Sequence, residues 1–331
     1  MIDLLKTITT VLLGVAVFAL ILLALYWVTN QLPKRFREGS QVAVFLGPAI
    51  LLLLIGLIVP AIRTIVLSLK SDGRQEKFHW FKNYSDIFGD SAMRTVLFNN
   101  LLWVVLVTSL SAYFGLRIAR FADGMRGENI AKALIFLPTA ISFVGAGIIW
   151  KFVYAPRIGR GQDIGLLNRI WTWLDPVLPG KQDSQLWLLK TDFKLNTLLL
   201  IVVMIWIQTG FATVVFSAAI KGVPDSLQEA ARIDGATEQQ VFRKVTVPYI
   251  RTTIITVLTT MVIAVLKVFD IVRAMTGGNF ETNVIANEMY AKSFPENRPN
   301  YGAALAVILF VAVLPIVFIN HRNQRYAREM S

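Results

Sequence analysis

"PDSLQEAARIDGATEQQVFRKVTVP", residues 224–248, is a polar stretch set between long apolar runs, and it carries helix punctuation twice. Pro224 precedes Ser226-Leu227-Gln228-Glu229, an S-x-x-E arrangement whose hydroxyl can accept a first-turn amide while the carboxylate reaches back. Leu227, Ala230, Ala231 and Asp234 follow at helical spacing, and Gly235 predicts a left-handed stop. Thr237-Glu238-Gln239-Gln240 is a second capping box, T-x-x-Q. Val241, Phe242 and Val245 then form an apolar stripe, and Pro248 predicts the end of the unit. The stretch reads as a helix–turn–helix hairpin. Ala230 and Ala231 are small enough for another protein to approach closely, with Leu227 and Phe242 as apolar anchors beside them. Caps and amphipathicity fit equally well a hairpin packed beneath its own bundle.

The flanks decide the setting. Hydrophobic residues make up 55% of the 331 and charged ones 16%, against about 45–50% and about 25% in soluble chains. Seven stretches are long and apolar enough for a bilayer core that needs about 20 residues of helix. They run near 10–29, 42–62, 96–116, 133–152, 197–219, 254–274 and 303–319. The expected fold is therefore all-α, a polytopic membrane helix bundle of about seven transmembrane helices. The first run is too long for a signal-peptide core and no A-x-A site follows it, so it is expected to stay as a span.

Short-loop charge sets the expected orientation. "PKRFREG" (33–39), "RIARFADGMRGENIAK" (117–132), the loop 221–251 and "HRNQRYAR" (321–328) are all basic and alternate onto one side. The positive-inside rule makes that side cytoplasmic, with the amino terminus outside and the carboxyl terminus inside. The formal net charge of +12 then fits membrane lipid as a partner; no motif for reading nucleic acid accompanies it. The longest external loop, 155–193, carries Trp171, Trp173 and Trp187, expected as interfacial anchors on short surface helices.

Several chemistries are excluded. Cysteine is absent, which removes disulfides, thiolate metal sites and cysteine catalysis. The glycines of "GRGQDIG" (159–165) and Gly180-Lys181 lack the spacing of a phosphate-binding loop. The only histidines, His79 and His321, are far apart, so no metal set or nucleophile–base pair assembles. The chain is expected to be no enzyme and to bind no cofactor itself.

"EAARIDGA" at 229–236, with Phe242 and Val247-Pro248, resembles the EAA loop of binding-protein-dependent ABC importer permeases, in particular sugar permeases of the maltose and alpha-glucoside type. Glu229, Ala230, Ala231 and Gly235 match the loop pattern, and Asp234-Gly235-Ala236 is its carbohydrate-branch form. "FLPTAIS" (136–142), "GLLN" (165–168), "VFDIVRAMTGG" (268–278) and "GAALAVILF" (302–310) resemble further permease segments in the same order. The resemblance covers about 90–320. It implies a MetI-like six-helix core within residues 41–331, preceded by an extra helix and linker in 1–40. It also implies a bacterial inner-membrane importer of an oligosaccharide or glycoside, in which loop 221–251 docks on cytoplasmic ATPase subunits. Glu229, Ala230, Ala231, Asp234, Gly235 and Phe242 would carry the coupling. ATP and Mg would be bound on the partner ATPase. Further implied partners are a second, different permease chain and an extracytoplasmic sugar-binding protein.

Polar groups at membrane depth are the candidates for the pathway. Lys267, Asp270 and Arg273 recur every three residues on the sixth span, where Lys267–Asp270 and Asp270–Arg273 pairs are expected past the midplane. Asn99, Asn100, Ser142 and Gln208 supply neutral hydrogen-bonding groups; helix–helix bonding accounts for them as well as a polyol path does. Trp206 and Phe143 offer flat apolar surfaces for a sugar. Pro138 and Pro315 are expected to interrupt their spans. The rival readings are an ion-coupled secondary transporter, disfavoured by the loop and by the lack of an inverted pair of broken spans, and a membrane-embedded enzyme or scaffold.

Overall fold

The computed structural model describes residues 2–31, 33–73, 77–157, 164–174 and 183–329, which fall into two units, 1–66 and 67–331. The side chains of 2–5, 34–38, 321 and 323–329 lie outside the described residues. So do 159–163 and Gly180-Lys181, the glycine stretches read for nucleotide binding, and the charges of two basic runs used for orientation fall there too.

The first unit is helical. α1 (Ile2–Asn30) is followed by α2 (Lys34–Leu53), a π turn (Leu54–Ile58) and α3 (Val59–Ser68), which runs past the unit's end. Two stretches are long and apolar enough to cross a membrane, Lys6–Asn30 and Gly39–Ser68, and the apolar windows of both keep their side chains on the surface. Helices whose apolar residues point outward are stable in lipid and not in water. Tyr26 meets Phe45, ring centroids 6.2 Å apart, where α1 and α2 touch.

The second unit carries the remaining helices. α4 (Lys82–Gly89) leads into the long α5 (Ser91–Ala122), then α6 (Glu128–Phe136), α7 (Phe143–Val153) and α8 (Leu166–Trp173). α9 (Leu195–Lys221) precedes the hairpin, α10 (Asp225–Ile233) and α11 (Glu238–Val241). A π turn (Phe242–Thr246) and α12 (Val247–Tyr249) connect it to α13 (Arg251–Leu266). α14 (Asp270–Met275), α15 (Ile285–Ser293) and α16 (Pro299–Glu329) complete the unit. Among the described residues there is no strand, only one isolated bridge between Lys70 and Phe78.

Among the described residues five helices are long and apolar enough to cross a membrane, and seven spans result if each of two bent pairs counts as one. The break in the fourth span falls where Pro138 was expected to interrupt it, and the sixth span ends earlier than expected. The fourth turns by 100° between Glu128–Ala140 and Phe143–Val153. Pro138 offers no amide, so the helix tightens to a 3₁₀ turn (Leu137–Ala140). Ile141 and Ser142 are then both extended, and Ser142 caps α7 by accepting from the Gly145 amide at 3.1 Å. The sixth bends by 68° at Ile250 and ends at Leu266, short of the expected Ala274. Pro248 does not close the hairpin. It sits inside the continuous helical run Glu238–Tyr249, directly after the π turn Phe242–Thr246. Pro315 likewise lies inside a continuous α16.

α5 and α9 form the spine. A methyl on Gly115 would stand 2.4 Å from the Ala212 Cβ, and one on Gly210 would stand 2.4 Å from the Ile135 carbonyl oxygen. Only glycine lets the three backbones approach this closely. Buried side chains pack around the spine in three clusters: Trp103, Leu200 and Met204 with Ile271; Ile87 and Met93 with Leu305; and Ala119, Phe216 and Ile220 with Met261.

Asn168 organises the segment after α7. Its amide donates to the carbonyls of Ala155 and Gln185, and its oxygen accepts from the Gln185 amide and the Trp187 indole at 2.9 Å. Trp187 is therefore buried rather than an interfacial anchor, with Trp171 edge-on against it at 5.4 Å. Trp173, 77% exposed, keeps the expected surface position.

Candidate functional site

The hairpin at 224–250 is built largely from its own sequence signals. Its first helix, α10, starts two residues earlier than the S-x-x-E reading requires. Pro224 takes the N-cap with extended backbone, φ −57° and ψ 130°, and no side chain caps the helix. Ser226 lies inside the helix, so the Ser226–Glu229 box does not form. At the other end Gly235 adopts φ +82°. The Ala236 amide reaches the Ala231 carbonyl and the Gly235 amide that of Arg232, the paired closure of a Schellman motif. The second box forms as expected: the Thr237 amide donates to Gln240 Oε1 at 2.8 Å and the Gln240 amide to Thr237 Oγ1 at 3.4 Å. Arg232 Nε binds Glu238 Oε1 at 2.7 Å, tying the two helices together, and the contact raises the affinity of the guanidinium for its proton.

The surface of this hairpin decides what it can do. α10 buries none of its residues, although it carries Leu227 and Ile233; Ile233 is 85% exposed. Glu229, Ala230 and Asp234 are exposed and Ala231 is half-buried. An amphipathic helix none of whose residues is buried is an unfilled contact surface. Phe242 behaves differently from the expected exposed anchor. It is half-buried, packs with the cluster around Phe216 and Ile250, and lies 4.3 Å beneath the Arg120 guanidinium. The π turn that begins at Phe242 rotates its side chain inward, toward α5.

The polar residues at membrane depth separate into two groups. Asn99 and Asn100 bond across helices, and Asn99 also lines a cavity of about 470 Å³ with Glu281 and Asn283. Asn99 donates to the carbonyls of Glu281 and Asn283 at 2.7 and 2.9 Å. Asn100 donates to the Leu266 carbonyl at 3.2 Å and accepts from the Ile285 amide at 2.7 Å. Trp206 also packs, edge-on to Trp150 at 5.7 Å.

Ser142, Gln208, Lys267 and Asp270 line two cavities beside the helix breaks. Ser142 and Gln208 line a cavity of about 320 Å³ beside the 141–142 turn. Lys267 and Asp270 line a second, of about 260 Å³, beside the end of α13. Phe143 lines both. The expected Lys267–Asp270 and Asp270–Arg273 pairs do not form. No ion pair joins these three described residues, because the helix stops at Leu266 and Lys267–Phe269 run non-helically. Lys267 and Arg273 are exposed, Asp270 is half-buried, and Arg273 lies over the Tyr290 ring at 4.9 Å.

Sequence reading missed two parts of this arrangement. Arg120 counted only as loop charge, although a last-turn Arg facing an aromatic of a neighbouring loop was a usable signal. The left-handed pair Phe280 and Glu281, φ 54° and 59°, carried no local signal. Side-chain amides of Asn99 and Asn196 hold it from other helices, and no local rule anticipates strain that distant contacts offset.

Residues 111–325 match the family described as binding-protein-dependent transport system inner membrane component. The osmoprotective compounds uptake permease protein of Synechocystis sp. is 48% identical over 85% of this chain and 97% of its own length. The alpha-glucoside transport system permease protein of Rhizobium meliloti is 41% identical over 97% of both chains. A chain from a bacterial ABC transporter involved in the import of the acidic polysaccharide alginate superposes with a TM-score of 0.73 at 22% identity, over 88% of this chain and 98% of that one.

Proposed function

We infer the role of this chain from its family, since it belongs to the binding-protein-dependent transport system inner membrane components and is a permease of an ABC importer. Its cargo is a sugar, of the oligosaccharide or glycoside class. The permease proteins for alpha-glucosides and osmoprotective compounds, at 41% and 48% identity, support that class. ATP and Mg are bound and hydrolysed on partner ATPase subunits. A second, different permease chain completes the channel, an extracytoplasmic binding protein delivers the sugar, and membrane lipid surrounds the spans. The hairpin and the carboxyl terminus face the cytoplasm, with the amino terminus outside.

One observation carries the coupling reading: α10 is amphipathic and buries none of its own residues. Glu229, Ala230, Ala231, Asp234 and Gly235 present that helix to a groove on the ATPase, while Phe242 anchors it from below. When the ATPase subunits close on ATP, the hairpin moves and the spans rock between outward and inward access. The sugar passes the cavities at the two helix breaks. Gln208 and Ser142 offer hydrogen bonds there, Phe143 offers a flat apolar face, and Lys267 and Asp270 are free of one another. Asn99, Asn100 and Trp206 shape that passage by holding helices rather than touching the cargo.

The test uses two exposed positions that leave the fold alone. Glu229→Lys and Ala230→Leu should insert and accumulate normally. The assembled transporter should lose co-purifying ATPase and the stimulation of ATP hydrolysis by sugar-loaded binding protein. Wild-type retention and stimulation in both variants would refute the docking role.

A further inference from the structure

A hairpin that receives motion must pass it on, and the chain joining it to the bundle is poorly suited to do so alone. At one end it leaves α9 through Gly222–Pro224, with no side-chain cap on α10. At the other it rejoins through a π turn, Phe242–Thr246, and a 68° bend at Ile250. Such breaks absorb motion as joints do. A lateral contact is needed between the hairpin and a long rigid helix.

We propose that Arg120, at the carboxyl end of α5, is the positioning residue that transmits movement of the hairpin to the transmembrane helices. A cation in the last turn of a helix ordinarily complements that helix's own terminal carbonyls. Here the guanidinium leaves its helix. It stacks over the Phe242 ring at 4.3 Å and Nη2 donates to the Glu238 carbonyl at 3.5 Å. The Glu238 carboxylate is in turn held by Arg232 of α10, at 2.7 Å from Nε and 3.3 Å from Nη2. Arg120 therefore grips the second helix of the hairpin, and Arg232 fastens the first helix to the second. The planar guanidinium suits both contacts at once, stacking with its face and donating from its edge.

The far side of the contact is stiff. Five residues before Arg120, Gly115 seats α5 directly on Ala212 of α9, with no room for a methyl group. Two residues before Ala212, Gly210 seats α9 on the backbone of Ile135 and Phe136. Those residues lead into the 141–142 turn, beside which Ser142 and Gln208 line their cavity. Close-packed backbones move together or not at all. A displacement of α10 thus reaches the bend in the fourth span through Arg120, α5 and α9, with no flexible segment between.

This inference rests on the docking role of α10, and its test keeps the two apart. The complete transporter, with its ATPase subunits and binding protein, is reconstituted in liposomes with Arg120→Ala, Arg120→Lys, Phe242→Leu or Glu229→Lys. Arg120→Ala should keep its ATPase subunits and its basal hydrolysis. Stimulation by loaded binding protein and sugar moved per ATP should fall roughly tenfold, a usual size for coupling between sites. Phe242→Leu should lower both in the same direction while preserving apolar packing. Arg120→Lys, which keeps the cation, should recover part of the loss. Glu229→Lys should instead lose the ATPase subunits. Normal stimulation and stoichiometry in Arg120→Ala, beside a defective Glu229→Lys, would overturn the relay and leave docking intact. Normal behaviour of Glu229→Lys would overturn docking itself. Failure of both Arg120→Ala and Phe242→Leu to assemble would assign the contact to folding and overturn the relay as well.

Discussion

Gly115 and Asp270 show how much depends on single positions. At Gly115 a methyl group would meet the Ala212 Cβ at 2.4 Å, whereas Gly47 in α2 has nothing within 4 Å. Overpacking a tight contact costs about 1–3 kcal/mol. Gly115→Ala should therefore lower the melting temperature of the purified permease, while Gly47→Ala should not, and equal melting of the two would remove Gly115 from the spine. Asp270 has the opposite expectation from the one its spacing suggested. Since no cation pairs with it, Asp270→Asn leaves no orphaned charge, and its effect on stability should stay within about 0.5 kcal/mol. Sugar uptake should fall, and adding Lys267→Met should not restore it. Recovery in the double variant would restore the ion-pair reading that the end of α13 at Leu266 rules out.

At the scale of the element, the hairpin shows which local signals can be read and which compete. Thr237 with Gln240 and Gly235 were legible because each acts within a few residues of itself. Ser226 was not, because Pro224 claimed the cap first. Thr237→Ala should cost about 1 kcal/mol of hairpin stability, seen as faster amide exchange across 238–246 with little change in the spans. Gly235→Pro is harsher: proline holds φ near −65°, and this position needs +82°. That variant should lose stimulated ATP hydrolysis while still inserting. Unchanged exchange in the first, or unchanged stimulation in the second, would show that the hairpin needs neither device.

For the whole molecule, labelling from either side of the membrane tests the way the hairpin faces. Cysteine is absent from the chain, so one introduced at Gln239, exposed in the hairpin, reports alone. It should resist an impermeant thiol reagent in intact cells and react in inverted vesicles; labelling from outside would reverse the topology. Composition and hydrophobic runs already determined that the fold is a membrane bundle, where the apolar stretches lie, and that a capped hairpin interrupts them. Those properties are local, since a span needs only apolar length and a cap only neighbouring residues. The tertiary structure decided where the fourth and sixth spans break and which polar groups bond across helices. Asn100 takes the last carbonyl of α13 across 166 residues of sequence, and Asn99 holds Glu281 and Asn283 across more than that. A helix ends where its orphaned carbonyls find a partner. That partner sits on another helix, so only the folded bundle shows which side chains hold the break.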